Sequence, residues 1–287
     1  MIPQIEQWLL ANEPLVRAMA FVGVFGGMAL WELAAPRRAY VIGRRRWIAN
    51  IGIVVLNTVL VRLIFPTAAI GVSAFAAQHG WGLFNYYAAP AGVAVVASFL
   101  VLDLAIYLQH VMVHAVPALW RLHRMHHADL DFDVTTGARF HPLEIVLSLL
   151  LKFAVIVAIG APVLAVLIFE VLLNATSMFN HSNVRMPRAL DRVLRRIVVT
   201  PEMHRVHHSI EVDETNSNFG FNLPWWDRLF GTYADQPRAG HERMTIGIDT
   251  FRDPKQCATL LGILAIPFAA PAGGYAINRR WSKREAK

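Results

Sequence analysis

Charge is scarce in this chain. Asp, Glu, Lys and Arg make up 16% of its 287 residues, against about 25% in an ordinary soluble domain. With 55% hydrophobic residues and a mean hydropathy of +0.41, that shortage excludes a disordered chain and argues against a soluble enzyme. Cysteine is nearly absent. Cys257 stands alone, which excludes an intramolecular disulfide framework and any cysteine-rich zinc or iron–sulfur site. There is no glycine-rich strand–turn–helix fingerprint for a dinucleotide, no internal repeat and no low-complexity segment. A cleavable leader is not expected either. Glu6 and Glu13 stand where a basic n-region would be, so the first apolar run reads as a retained anchor.

Long apolar runs are plentiful. They cover about residues 15–35, 47–71 and 90–109, the second interrupted by Arg62. A further region, 143–179, is too long for one crossing, since about 20 helical residues span the hydrocarbon. Gly160-Ala161-Pro162 near its middle is a natural breaker, so it reads as two helices joined by a tight turn. A last stretch, 258–276, contains Pro267 and Pro271 and reads as a re-entrant or interfacial segment. The net charge of +7 follows these runs. Arg37, Arg38 and Arg44 to Arg46 follow the first span; Arg121, Arg124 and Arg139 follow the third. Arg185, Arg188, Arg192, Arg195, Arg196 and Arg205 follow the hairpin. If the spans alternate, these loops share one side, and that side should be cytoplasmic. Residues 187–199 place Leu190, Val193, Leu194 and Ile197 on one helical face and arginines on the other, the pattern of a helix lying on a membrane surface.

The expected architecture is therefore an all-α integral membrane protein, with about three spans plus a membrane hairpin, capped by a cytosolic helical domain. Its parts are transmembrane helices over 1–109, a cytosolic segment over 110–142, the hairpin over 143–180, a second cytosolic segment over 181–256 and an apolar, basic-tailed end over 257–287.

Histidine is unusually abundant, with twelve residues. His110 and His114 are four apart at the end of the third span, where i and i+4 share a helical face. Asp103 and Tyr107 precede them on the same stripe. His123-Arg-Met-His126-His127 and His204-Arg-Val-His207-His208 repeat one H-x-x-H-H pattern. Thr200-Pro201-Glu202 opens a helix before the second copy, with a capping residue, a proline at the first position and an acidic first turn. His141, before Pro142 and Glu144, and His181, in Asn180-His-Ser-Asn183, lie between them. Imidazole suits zinc, copper, iron and nickel, and one zinc takes at most four ligands. Eight to ten clustered histidines with few carboxylates therefore point to two transition-metal ions rather than magnesium or calcium.

These residues resemble the fatty acid hydroxylase / sterol desaturase superfamily. The similarity rests on the three histidine patterns, Leu119-Trp120, Arg139-Phe-His-Pro-Leu-Glu144, Asn180-His-Ser-Asn183, Thr200-Pro201 and the run from Asn218 to Thr232, over about residues 95–235. The resemblance implies a non-haem di-iron membrane oxygenase that uses O2 to hydroxylate or desaturate a lipid, with hydroxylation the favoured reaction. It implies metal ligation by His110, His114, His123, His126, His127, His204, His207 and His208, with His181 a ninth ligand and His141 a tenth. Asp103, Tyr107, Glu144 and Asn180 are the expected supporting residues at the reaction site, Asp103 by orienting a ligand ring. His79 and His241 are left out. Electrons are expected from a separate ferredoxin-like or cytochrome partner, and no nucleic acid is implied. Sterol, fatty-acyl or ceramide, alkylglycerol, carotenoid and amino-lipid substrates all remain open. The arginine-rich loops fit a bacterial inner membrane with the site facing the cytoplasm. Other classes to weigh are a membrane haem electron carrier and a metal transporter.

Overall fold

The computed structural model describes residues 2–269 and 274–277, and among these there is helix but no strand. Its helices are α1 (Ile2–Ala11), α2 (Glu13–Ala34), α3 (Trp47–Ile64), α4 (Ala68–Gln78), α5 (Ala91–Ala115), α6 (Pro117–His127), α7 (Pro142–Ile159), α8 (Val163–Asn180), α9 (Arg188–Leu194), α10 (Pro201–His207), α11 (Trp225–Leu229) and α12 (Leu260–Ala269), with shorter turns between. Five helical runs are long and apolar enough to cross a membrane: Glu13–Ala34, Gly43–Tyr86, Ala91–Ala115, Pro142–Ile159 and Val163–Asn180. The all-helical membrane architecture read from the sequence is what the chain adopts.

Four details fill in that reading. The second run breaks at Phe65-Pro66-Thr67 into α3 and α4, because proline supplies no N–H to the helix ladder. The third continues six residues past Gln109 and carries His110 and His114 inside α5. The hairpin turns where the breaker lies. Gly160 caps α7 in the left-handed region at φ +68°, and Pro162 leads into α8. At the C-terminal end, α12 has ten residues, about 15 Å of helix against a hydrocarbon thickness of about 30 Å. The helix alone is too short to cross, and it packs on α6 and α3. The basic tail beyond residue 277 lies outside the described residues.

One end of the bundle is built around polar groups. The C-terminal ends of α2, α5 and α8 meet there with the N-terminal ends of α3 and α7. The Arg46 guanidinium is fully buried between Asp129 at 2.7 Å and Asp133 at 2.5 Å. Asp131 accepts the backbone N–H groups of Val41, Ile42 and Gly43. Glu32 at the end of α2 accepts from the N–H groups of Val134 and Asn183. Charges this deeply buried persist only when paired and hydrogen-bonded. Here they staple the 129–139 loop to α2 and α3, and that loop covers the histidines.

Candidate metal centre

Nine histidines converge at this end, all buried. His110, His114, His123, His127 and His207 form one group, and His126, His181, His204 and His208 form another. Within each group one ring nitrogen per residue lies within 4.8 Å of all the others. The two H-x-x-H-H segments are divided between the groups. His123 and His127, one helical turn apart, face the first group, while His126 faces the second. His204 and His208 face the second while His207 faces the first. Adjacent positions on a helix project about 100° apart, so a His-His doublet supplies two neighbouring centres from one helix. The groups adjoin, with the rings of His127 and His208 stacked at 4.6 Å.

Most rings are held from outside. His110 Nδ1 donates to the Phe219 carbonyl at 2.8 Å, His181 Nδ1 to the Ser177 carbonyl at 2.7 Å and His207 Nδ1 to the Ser217 carbonyl at 2.7 Å. His126 Nδ1 donates to the Arg139 carbonyl at 3.2 Å, His114 Nδ1 to Asn216 Oδ1 at 3.2 Å and His123 Nδ1 to Glu144 Oε1 at 2.6 Å. A ring that donates from Nδ1 keeps its Nε2 lone pair for the interior. Those nitrogens meet one another. His110 and His123 approach at 3.1 Å, His126 and His181 at 3.1 Å, and His181 and His204 at 3.0 Å, each Nε2 to Nε2. Nε2 of His114 and His207, and both ring nitrogens of His127 and His208, are buried without a hydrogen-bond partner. Such orphans are costly unless something else satisfies them.

Burial, followed by the neighbouring imidazoles, holds His126, His127, His204 and His208 well below the usual histidine range. Burial likewise depresses His207, and brings His181 down to about 3. These imidazoles are neutral at pH 7, the form that binds metal. An all-nitrogen, water-poor donor set with orphaned lone pairs fits transition-metal ions.

A cavity of about 440 Å³ reaches this centre from the helix bundle. His110, His123, Phe140, Glu144 and Phe221 line one end, and Arg17, Lys152 and Glu170 line it elsewhere.

The remaining residues singled out from the sequence fall in different places. His141 joins neither group. It caps α7, its Nδ1 accepting the Leu143 N–H at 3.2 Å. Asp103 touches no histidine ring; it accepts from Asn222 Nδ2, Leu223 N–H and Trp226 Nε1 and so ties the 222–226 loop to α5. The reason is depth, since Asp103 precedes His110 by seven residues, about 10 Å along the helix. Tyr107 bonds Thr232 and stacks on Phe230, away from the cavity lining. Asn180 donates to the Phe221 carbonyl. Glu144 alone of these four both touches a clustered histidine and lines the cavity. His79 lies apart, bonded to the Phe75 carbonyl. His241 pairs with Glu202 at 2.7 Å, behind α10. Sequence reasoning did not find Asn216. An N-x-N spacing carries no signal that would single out Asn216. Asp227, within the Asn218 to Thr232 run that carries the resemblance, accepts the N–H groups of Phe219 and Gly220 with its carboxylate and so aims the carbonyl that holds His110.

Comparison with known proteins agrees with this geometry. The chain is 32% identical over 149 residues to an ornithine lipid hydroxylase of Rhizobium tropici, covering 52% of this chain and 44% of that protein. It is 30% identical over 164 residues to the human alkylglycerol monooxygenase, covering 55% and 35%. To a fatty acid hydroxylase of Lecanicillium it is 30% identical over 149 residues, covering 48% and 40%. The chain thus spans less than half the length of these relatives. No solved structure matches it. Residues 95–232, the stretch that contains all nine converging histidines, match the fatty acid hydroxylase family.

Proposed function

We propose that the chain is a membrane-bound di-iron oxygenase that hydroxylates an unactivated C–H bond of a lipid, using O2 and electrons from a separate donor. The observation that carries this reading is the pair of all-histidine groups at the end of a largely apolar cavity. In this reading His110, His114, His123, His127 and His207 hold one iron, and His126, His181, His204 and His208 the other. His141 serves as a helix cap. The relatives are named for hydroxylating ornithine lipids and for oxygenating alkylglycerols, which supports a lipid as the substrate.

Bound iron would supply the O2 and C–H chemistry. The chain supplies position and dryness. Phe140 stacks on His126 at 4.6 Å and Phe221 lies 5.1 Å from His110, so aromatic rings separate the imidazoles from water. Glu144 holds the Nδ1 proton of His123 and presents its second oxygen, Oε2, without a partner. Asp103, through the 222–226 loop, and Asn180, through the Phe221 carbonyl, support the Phe221 wall. Arg185, Arg188, Arg192 and Arg196 are exposed beside the centre, a basic face that suits an acidic ferredoxin-like or cytochrome donor. With this face cytoplasmic, the orientation obeys the positive-inside rule.

The test is metal content by elemental analysis and Mössbauer spectroscopy on the full chain and on His207→Ala. Two irons per chain, diminished in the variant, and a lipid product heavier by one oxygen are the expected results. Haem, or zinc without iron from iron-replete cells, would overturn the reading in favour of electron transfer or metal transport.

A further inference from the structure

The cavity carries charge where a lipid channel has no need of it. Glu170 on α8 accepts from Arg17 Nη2 of α2 at 2.5 Å and from Lys152 Nζ of α7 at 2.5 Å. Arg17 also pairs with Glu13. All four residues line the cavity, and Lys152 and Glu170 are buried. Joining three helices does not require ions, because well-packed apolar residues of the same volume stabilise a buried contact at least as well. Ionisable groups among membrane spans commonly mark a substrate path.

Spare N–H donors occur at the charged end of the cavity and not among the unpartnered atoms of its histidine end. At the histidine end the unpartnered atoms are acceptors. These are Glu144 Oε2 and the Oδ1 of Asn57, which is 8% exposed and spends its Nδ2 on the Phe140 carbonyl. At the charged end spare donors stand beside the Glu13 and Glu170 carboxylates. Lys152 uses one ammonium hydrogen, and the Arg17 Nη1 has no partner among the described residues. Glu170 is shared by both cations and Glu13 pairs with Arg17 as well, so the cluster is neutral overall and what it offers is spare N–H donors. The two ends are about 12 Å apart, from the eight helical residues between Glu144 and Lys152 at 1.5 Å each.

We propose that Arg17 and Lys152 form a polar subsite for a carbonyl or carboxylate oxygen of the lipid, so that the polar group is held away from the histidines and the hydrocarbon chain is led toward them. The subsite then measures the substrate. Oxidation falls on chain carbons about 12 Å from the held oxygen. This inference rests on the reading that the cavity takes a lipid.

Binding of tritiated palmitate to the purified full-length protein in neutral detergent tests it, with hexadecane and methyl palmitate as competitors. Palmitate should bind at least about tenfold more tightly than hexadecane, and Arg17→Gln and Lys152→Met should each abolish that preference. Competition by methyl palmitate equal to palmitate assigns a carbonyl; failure of the ester to compete assigns a carboxylate. Equal competition by hexadecane on the unaltered protein overturns the proposal and needs no variant. So does a preference that survives in both variants, which would leave the cluster as a lock between helices. If Lys152→Met does not fold, Lys152→Met/Glu170→Gln removes the stranded carboxylate and is read the same way. Palmitate preference in protein that holds no iron would sink the oxygenase reading and leave the subsite. Iron-loaded protein that oxidises lipid without any such preference would sink the subsite alone.

Discussion

His123 Nδ1 and Glu144 Oε1 lie 2.6 Å apart, and this bond joins the C-terminal half of α6 to the first turn of α7. The carboxylate does two things there. It fixes which ring nitrogen of His123 faces the other imidazoles, and its free oxygen faces the cavity. Glu144→Gln keeps the size but weakens the acceptor. Loss of such an outer carboxylate typically costs 10–100-fold in metal affinity. Competition for iron against a chelator of known affinity should show a shift in that range with helix content unchanged by circular dichroism. An unchanged affinity would mean that the bond orients nothing that matters to the metal.

Acid should release whatever the histidines hold and then unfold the protein. Burial depresses His126, His127, His204, His207 and His208, and takes His181 to about 3. In the unfolded chain each would titrate near 6.5. Between pH 6.5 and about 3 the unfolded chain therefore binds more protons than the folded one, so stability falls as pH falls through that window and is fully present above it. Thermal melts of the metal-free protein in neutral detergent should show a constant midpoint above pH 7 and a steep decline below 6.5. A midpoint flat down to pH 4 would contradict neutral, buried imidazoles.

The sequence disclosed what depends on local spacing. The break at Gly160, the capped start of α10 at Thr200-Pro201 and the shared helical faces of His110 with His114 and of His123 with His127 all follow from i, i+4 geometry or from residues with one dominant backbone preference. What stayed hidden depends on long-range contact. The groups that hold the imidazoles are mostly backbone carbonyls, of Phe219, Ser217, Ser177 and Arg139, and any residue type supplies a carbonyl. Asp103 shares a helical stripe with His110, which invited a role at the metal, yet its partners come from 119 to 123 residues later. His141 carries the right atom one position before a helix, and there capping takes it. Arg46 and its three aspartates are scattered over two loops whose meeting only the fold reveals.

Asp103→Ala should act through the loop rather than through chemistry. Removing the carboxylate strands Trp226 Nε1, Asn222 Nδ2 and the Leu223 N–H, all of which now donate to it. Unsatisfied buried partners cost about 1–3 kcal/mol each. The variant should melt well below the parent, and Asp103→Asn, which retains one acceptor, should lie between. If both variants melt like the parent but lose activity, Asp103 takes part in the reaction instead.

Gly137 offers the sharpest test of how the two groups are held apart in function. Its backbone lies against the end of α8, and Ser177 Oγ donates to its carbonyl at 2.7 Å. A Cβ at this position would stand 2.5 Å from the Ser177 carbonyl oxygen and 3.3 Å from His181 Nδ1. That oxygen is the acceptor that orients His181. Gly137→Ala must therefore push the end of α8 outward and lengthen the His181 bond, at a cost of about 1–3 kcal/mol, as is usual for overpacking. His181 belongs to the group with His126, His204 and His208, so that group should lose its ion while the five-histidine group keeps its own. Elemental analysis of the variant should then show metal partly lost. Gly23→Ala, where an added Cβ meets nothing within 4 Å, should retain the full content. Complete loss in Gly137→Ala with an unchanged melting temperature would show instead that the two groups, whose rings touch at His127 and His208, bind as one bimetallic unit.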